Sequence, residues 1–498
     1  MQKFLPKLTS KEILILALGT VLYFTLTSAN LTRLPIFVDE ALYLRWSQIA
    51  WHDASWRFIS LTDGKQPLYI WLVIPFMKIF SDPLVAGRMA SVFSGYILAL
   101  GMWYLGWLIK DKKTGHFAAL LALVSPYLFF YNRFGVMEAL LTASGVWTVN
   151  LSILLARTVR LDIALLLGMA LGGSLLVKSS AFFFLLLSPL ALLARSENKI
   201  LFPKPFAKFF ILLAISWILA TVIYNVQRLS PWMHMIGDKN SFFTVPYAEI
   251  FNEPARILNN LQDIVRWNLS YTTLGVILLG LWGIARMTKS ASRMSLYLLS
   301  CLTLPLLGTA LIARLFAPRY IVFSVPYLLV FVAYILSSLR PQLARILTLI
   351  STAYPAYLIS LLILDPLKFP YVSVDEGYVN GWSAGNGTRQ ISEYLVEEAS
   401  RTSEKIFVFT EGTFGILPHG LELYTDGRAG NLEIIGIYPV NNLPPEQALE
   451  KSSTSRTYLI LNNTELMTPP PGLDLIKSYP KLKDTSMRLY LVTPPVTP

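Results

Sequence analysis

Two carboxylates stand side by side at Asp39-Glu40, within "IFVDEALYLRW" (36–46), just past the first long apolar run of the chain. A third, Glu138, lies in "NRFGVMEALLT" (132–142), five positions after Arg133 and among apolar neighbours. A carboxylate at the start of a helix can bond the exposed backbone amides as a cap, and Asp39 is placed to do so. A positioned carboxylate can also accept a proton from an attacking hydroxyl. Glu138 invites a similar choice, between an ion pair with Arg133 across one turn and a functional group, because a lone charge among apolar side chains is costly. The cations sharpen the question. Arg33, Arg45, Lys65, Arg88, Arg133, Lys178, Arg314 and Arg319 fall near the ends of apolar runs, on the side where topology signals do not call for positive charge. An anionic ligand at that boundary would explain them together. Individually, each is equally compatible with a long side chain snorkelling to lipid headgroups.

The surrounding chain is what makes such placements unusual. It has 498 residues, 54% hydrophobic and only 14% charged, against roughly 25% charged in an ordinary soluble domain. The net charge of +12 is scattered between apolar runs without a basic tract. That pattern fits membrane topology and contact with anionic lipids, and gives no support to nucleic-acid binding. Cys301 is the sole cysteine, so disulfides within the chain and thiolate metal sites are excluded. His52, His116, His234 and His419 are far apart and form no metal-ligand spacing. Any metal site would rest mainly on carboxylates, and the use of a divalent cation stays open.

About eleven apolar segments are expected to span a bilayer, near 12–29, 84–109, 115–132, 134–156, 161–177, 180–194, 206–225, 271–287, 294–313, 318–337 and 343–364. The basic residues of the short connections all fall on one side: Lys3, Lys7 and Lys11; Lys110, Lys112 and Lys113; Arg157 and Arg160; Arg195, Lys199, Lys204 and Lys208; Arg286, Lys289 and Arg293; Arg340 and Arg345. The expectation is a multi-pass protein of the cytoplasmic membrane with its N-terminus in the cytoplasm. The long loops 30–83 and 226–270 and the C-terminal tail then lie outside. The segment "EALYLRWSQIAW" (40–51), apolar at 42, 43, 46, 49 and 50, reads as an amphipathic helix along the membrane surface, and 63–71 as a turn followed by a short aromatic surface helix. After about residue 368 the pattern changes. Strand-like stretches "KIFVFT", "LEIIGIYPV", "TYLILN" and "RLYLVT" alternate with helical patterns at 388–400 and 445–451, which predicts a small α/β domain. The expected organisation is a membrane domain over 1–367 and a soluble domain over 368–498.

With these motifs in order, the chain resembles the GT-C superfamily of polyprenyl-phosphate-dependent glycosyltransferases, in the branch of the protein O-mannosyltransferases and aminoarabinose transferases. The resemblance rests on Asp39-Glu40 after the first span, the Lys-x-Pro-Leu segment at Lys65, Arg133-x4-Glu138, Val-Lys-Ser at Lys178, and "APRYIVFSVP" (317–326). It covers roughly residues 10–340. It implies an α-helical polytopic enzyme that takes a sugar from a lipid-phosphate carrier at the outer face. Asp39 matches the family's catalytic aspartate, Glu138 the acid after Arg-x4, and Lys65 the lysine beside the donor phosphate. Arg133, Lys178 and Arg319 are the further expected phosphate ligands, and Glu40, Tyr43 and Tyr320 the expected acceptor-side or secondary residues. Gln66 stands where relatives carry a first proline, and Glu138 where aspartate is commoner.

The implied chemistry is self-consistent. A hydroxyl needs a base as it attacks an anomeric carbon. A departing lipid phosphate needs cations, and arginine is a bidentate clamp where lysine is a point charge. Such a leaving group needs no acid, so one displacement with inversion is expected. The expected partners are a polyprenyl-phosphate sugar, an acceptor that is a glycan, lipid or protein, and membrane lipid. A secondary transporter, or a scaffold acting through its C-terminal domain, is the alternative. Transporters often carry internal repeats, and the sequence shows none.

Overall fold

A computed structural model describes residues 6–195, 203–464, 468–483 and 485–494. Lys3 and Lys199, counted above among the basic connections, lie outside the described residues. The helices in chain order are α1 (Ser10–Ser28), α2 (Val38–His52), α3 (Leu68–Met77), α4 (Pro83–Ile109), α5 (Lys112–Leu123), α6 (Pro126–Tyr131), α7 (Glu138–Thr158), α8 (Leu161–Leu175), α9 (Phe182–Leu187), α10 (Pro203–Tyr224), α11 (Met235–Phe243), α12 (Pro254–Tyr271), α13 (Leu274–Ser290), α14 (Ser292–Ile312), α15 (Val325–Ser338), α16 (Pro341–Leu364), α17 (Thr388–Ser400), α18 (Leu421–Thr425) and α19 (Glu446–Ser452). By packing, the chain divides into two units. The first comprises Met1–Asn30, Ser55–Leu72 and Arg88–Asp365, and the second Leu31–Ala54, Val73–Gly87 and Pro366–Pro498.

The first unit is helical, with an apolar core and an apolar exterior as well. Large apolar side chains point outward along its helices, among them Leu18, Val21 and Leu22 of α1, Ile211 and Ile218 of α10, and Leu349 and Ile350 of α16. Hydrocarbon, not water, suits such faces. Among the described residues six helices are long and apolar enough to cross a membrane, or seven if the bent pair α12–α13 forms one span. Six of the eleven expected spans coincide with these helices. The other five fall on shorter or broken apolar helices: α5 with α6, α8, α9, α13 and α15. The break between α12 and α13 turns by 110°, at Thr273, whose φ is +72°. The expected loop 226–270 is therefore largely helical, and α12 buries Asn260, Ile264, Trp267 and Tyr271 on one side.

Hydrogen bonds define two ends of this unit. At one end Lys110 Nζ donates to Ser337 and Ser338 Oγ (3.0 and 2.7 Å), Lys112 Nζ reaches Glu12 Oε2 (2.8 Å), and Arg157 Nη1 donates to Leu108 O (2.7 Å). Several of the basic connections thus meet there. At the other end Tyr127 Oη donates to Pro318 O (2.7 Å) and Asn30 Nδ2 to Ile363 O (3.1 Å).

The second unit is built on a five-stranded mixed sheet. Besides β1 (Ile36–Phe37) and β2 (Ala384–Gly385), its strands are β3 (Ile406–Glu411), β4 (Leu432–Ile437), β5 (Thr457–Thr464), β6 (Leu473–Pro480) and β7 (Ser486–Val492). The sheet order is β4-β3-β5-β7-β6. β3 runs parallel to β4 and β5, while β7 runs antiparallel to β5 and β6. The four strand-like stretches of the sequence become β3, β4, β5 and β7, and α17 covers 388–400 as expected. β6 escaped notice because its side chains are mostly exposed, which leaves no apolar alternation to read. A core of Phe407, Phe409, Ala448, Leu459, Leu461, Leu473, Tyr490 and Val492 lies on one sheet face.

The second unit also recruits part of the first loop. β1 pairs antiparallel with β2, Ile36 opposite Gly385 and Phe37 opposite Ala384. α2 follows immediately, and Val38 through Leu44 are buried. Val38 Cγ2 occupies the space where a side chain at Gly415 would begin, and Trp46 faces Phe414 at 6.5 Å. This corrects the expectation of a helix lying along a membrane surface: α2 is a packed core helix. The apolar spacing read from the sequence is present, but it faces protein on nearly every side.

Candidate active site

The best-defined group of candidate residues lies in the first unit, at the end marked by Tyr127 and Pro318. Glu138 opens α7, and Lys178 follows the C-terminus of α8. Lys178 Nζ sits 2.7 Å from Glu138 Oε1. The Glu138 side chain is only 4% exposed, that of Lys178 22%. The other carboxylate oxygen, Glu138 Oε2, is buried and finds no hydrogen-bond partner among the described residues. A buried carboxylate left half-satisfied is expensive, so the site holds a polar acceptor that packing alone does not require. Of the two readings of Glu138, the ion pair with Arg133 is not what forms; the partner of Glu138 comes from forty positions further along the chain.

Lys178 has a second neighbour. Its Nζ stands 4.9 Å from the ring centre of Tyr320, and Arg319 Cζ is 5.2 Å from the same ring. Arg319 Nη2 also donates to Tyr320 Oη at 3.3 Å. One aromatic ring therefore gathers two cations that are far apart in sequence, and cation–π attraction offsets part of their mutual repulsion. Phe243, at the end of α11, approaches Tyr320 at 6.1 Å, held there because its carbonyl accepts from Arg314 N (2.8 Å).

The turn carrying Lys65 joins this group through its neighbours. Gly64 adopts φ +66°, a left-handed conformation that glycine tolerates without a Cβ clash. Gln66 Nε2 donates to Ser179 Oγ at 2.7 Å, and Leu68 N to Leu176 O at 2.9 Å. The glutamine that departs from the family's proline is thus a strut between the Lys65 turn and the Lys178 turn. Asp63, on the same turn, pairs with Lys239 of α11 at 2.6 Å. Asp63, Lys239 and Phe243 were not singled out from the sequence, and nothing in it showed that Gln66 would bond Ser179; the Gln66–Ser179 and Asp63–Lys239 pairs each join positions more than a hundred residues apart.

Arg133 has a different task from the one expected. Its guanidinium donates to the carbonyls of Leu26, Thr27, Ala29 and Asn30, at 3.1, 2.9, 2.6 and 3.4 Å. These are the orphan acceptors at the C-terminus of α1, so Arg133 is a helix cap rather than a free phosphate ligand. Arg88 is likewise no exposed anchor at a span end: it is fully buried with Cζ 5.0 Å from the Phe134 ring centre. Arg45, in the second unit, is paired to Glu422 and Asp426 (3.4 and 3.0 Å).

Asp39, Glu40 and Tyr43 belong to the second unit, in the first turns of α2. The helix start moves back by two residues, with Phe37 rather than Asp39 at the N-cap position. α2 begins at Val38, and it is Glu40 whose Oε2 accepts from the Phe37 amide at 3.0 Å. Asp39 is the second helical residue rather than the cap. Glu40 is fully buried, Asp39 is 9% exposed, and the ring of Tyr43 stacks obliquely on Trp46 at 5.9 Å. Two acidic side chains in the first turn sit favourably against the helix dipole. His419, in the same unit, is held below the ordinary histidine range by burial, opposed by Glu422 and reinforced by Arg45. Among the described residues no group of three or more His, Cys, Asp or Glu side chains is placed to hold a metal ion.

Comparison with known proteins agrees with the motifs. The family model described as dolichyl-phosphate-mannose-protein mannosyltransferase matches residues 64–224, less than half of the chain but including Lys65, Glu138 and Lys178. A search of curated protein sequences gives no match. Among solved structures, ArnT from Cupriavidus metallidurans in the apo state aligns with TM-score 0.60 at 13% identity, covering 96% of this chain and 97% of that one. The structure of the same protein bound to undecaprenyl phosphate aligns with TM-score 0.59 at 12% identity over 96% and 97% of the two chains. At that identity the likeness shows the fold. The resemblance to the GT-C superfamily is thus supported twice over, by a family model and by an ArnT-like fold along nearly the whole chain.

Proposed function

We propose, from the premise of a GT-C fold, that this chain is a membrane glycosyltransferase that moves a sugar from a polyprenyl-phosphate carrier to an acceptor hydroxyl on the extracytoplasmic side. One observation carries the reading: Lys178 and Arg319, from distant parts of the chain, meet at the ring of Tyr320, with Lys178 fixed by the buried Glu138. Two cations held at one end of a helical membrane unit suit a phosphate group on a lipid. The Gln66–Ser179 strut brings the Lys65 turn into the same group. ArnT, whose fold this chain shares, has been solved with undecaprenyl phosphate.

In this reading Lys178, Arg319 and Lys65 neutralise the carrier phosphate as it departs. Glu138 acts through Lys178, as a positioning residue. Asp39 is the base. The acceptor oxygen attacks the anomeric carbon while the bond from that carbon to the phosphate oxygen breaks. The acceptor proton passes to Asp39, and the carrier leaves as a polyprenyl phosphate monoester. One displacement inverts the anomeric carbon. The acceptor is a glycan, a lipid or a protein hydroxyl. The test is incubation of the purified protein with a panel of polyprenyl-phosphate sugars, following release of the free carrier phosphate. If no donor is consumed, with or without added acceptors, the reading fails.

A further inference from the structure

The second unit contains a groove that the transfer chemistry does not use. Its larger part is a cleft of about 520 Å³, and a smaller one of about 270 Å³ shares Asp82, Arg389, Glu393 and Tyr424 with it. The shared wall is a built network. Arg389 bonds Asp82 Oδ2 through Nη1 (2.6 Å) and Glu393 Oε1 through Nε (2.9 Å). Asp82 is itself fixed, its Oδ1 accepting from Leu84 and Val85 amides at the start of α4 (2.8 and 3.3 Å).

Three further features line the groove. Asn386, at the head of α17, has a buried Oδ1 with no hydrogen-bond partner among the described residues, while its Nδ2 makes only a long bond to Pro480 O (3.3 Å). Gly387, with φ +85°, lets the Tyr479 ring close onto the backbone; any Cβ there would meet ring atoms at 2.3 Å. In the smaller part, Trp51 and His52 stack with centroids 4.8 Å apart.

The charges in the larger cleft balance: Arg33 and Arg389 against Asp82 and Glu393. In the smaller one Arg389 and Arg428 stand against Asp82, Glu393 and Asp426. A site for phosphate or another polyanion would carry an excess of donors. A mixture of carboxylates, guanidinium groups, an amide with a free acceptor and aromatic rings instead matches hydroxyls, which both donate and accept, on a ring with apolar faces. We propose that this groove binds a neutral oligosaccharide, the glycan portion of the acceptor. The identification as acceptor rests on the glycosyltransferase reading; the binding itself does not.

The experiment uses the full chain in lipid nanodiscs without donor. Chitotetraose, mannotetraose and maltotetraose are titrated by saturation-transfer NMR, with inorganic phosphate and tetragalacturonate as anionic probes. At least one neutral tetrasaccharide is expected to bind saturably. Tyr479→Ala and Asn386→Ala should each weaken it about tenfold, the equivalent of one lost contact. Gln390→Ala, on the exposed rim, provides a second line should either variant melt early, and is expected to weaken binding less. Failure of all neutral probes, binding by the anions alone, or binding unchanged in every variant would overturn the proposal. Carrier release is assayed separately, so a chain that releases carrier but binds no glycan loses the groove and keeps its function. One that binds glycan and consumes no donor does the reverse.

Discussion

Lys178 Nζ stands 2.7 Å from Glu138 Oε1 in the helical unit, while Glu138 Oε2 is buried without a partner among the described residues. Truncating Lys178 strands a buried charge. Lys178→Ala is expected to destabilise the protein by roughly 3 kcal/mol, the lower part of the usual range because the lysine is partly exposed. Glu138→Gln should cost less and should raise the KM for donor, because Lys178 loses its anchor. Thermal unfolding in detergent, with donor titration, separates the two effects. Equal stability of Lys178→Ala and the parent would show that the pair is not buried as described.

Tyr320 holds two cations by its face. Tyr320→Phe keeps the ring and loses only the Arg319 hydrogen bond, so donor affinity should fall by no more than a few-fold. Tyr320→Ala removes both cation–π contacts, each worth about 0.5–2 kcal/mol. About a tenfold loss of donor affinity is expected. The measurement is competition by an unreactive polyprenyl phosphate. If both variants bind equally well, the ring does not organise the cations.

Arg133 satisfies four carbonyls at the end of α1. Arg133→Met should cost about 3 kcal/mol of stability by leaving buried acceptors unpaired, and Arg133→Lys should recover only part, since an ammonium lacks the planar fork. At a temperature where both variants stay folded, the KM for donor should be unchanged. A selective rise in KM without loss of stability would restore Arg133 to the phosphate site.

His419 titrates below the ordinary histidine range when folded, because burial disfavours its charged form. The unfolded chain therefore binds a proton first as the pH falls. Stability is full above about pH 6.5 and declines below it, through the window down to the lowered folded pKa. His419→Gln should flatten the fall in unfolding temperature between pH 7 and 5. An identical slope in parent and variant would mean that other groups set the acid sensitivity.

What was legible in the sequence followed from local pattern. The long apolar runs of α1, α4, α7, α10, α14 and α16 show themselves by composition alone, and α17 by its polar–apolar period. The ordered motifs pointed to Asp39, Lys65, Glu138 and Lys178 without geometry. What stayed hidden was pairing at a distance. Nothing local tells that Glu138 turns to Lys178 and not to Arg133, or that Arg133 reaches back to α1. The two-residue pairing of β1 with β2 is too short for any periodic signal. It places α2 in the second unit, so a helix with an amphipathic spacing proves to be packed on almost all sides. The Asp39 cap failed because α2 starts two residues earlier, with Phe37 at the N-cap position, which places Glu40 three residues on to accept from the Phe37 amide.

The central claim is the transfer of a sugar from a lipid phosphate with Asp39 as base, and one assay addresses it most directly: carrier-phosphate release from a polyprenyl-phosphate sugar by the purified parent and by Asp39→Asn. The parent is expected to release carrier in the presence of acceptor. Asp39→Asn should fold and bind donor normally, yet turn over about two to four orders of magnitude more slowly, the usual worth of a positioned base. Near-normal release by Asp39→Asn would contradict the assigned base, and absence of release by the parent with every donor would contradict the function.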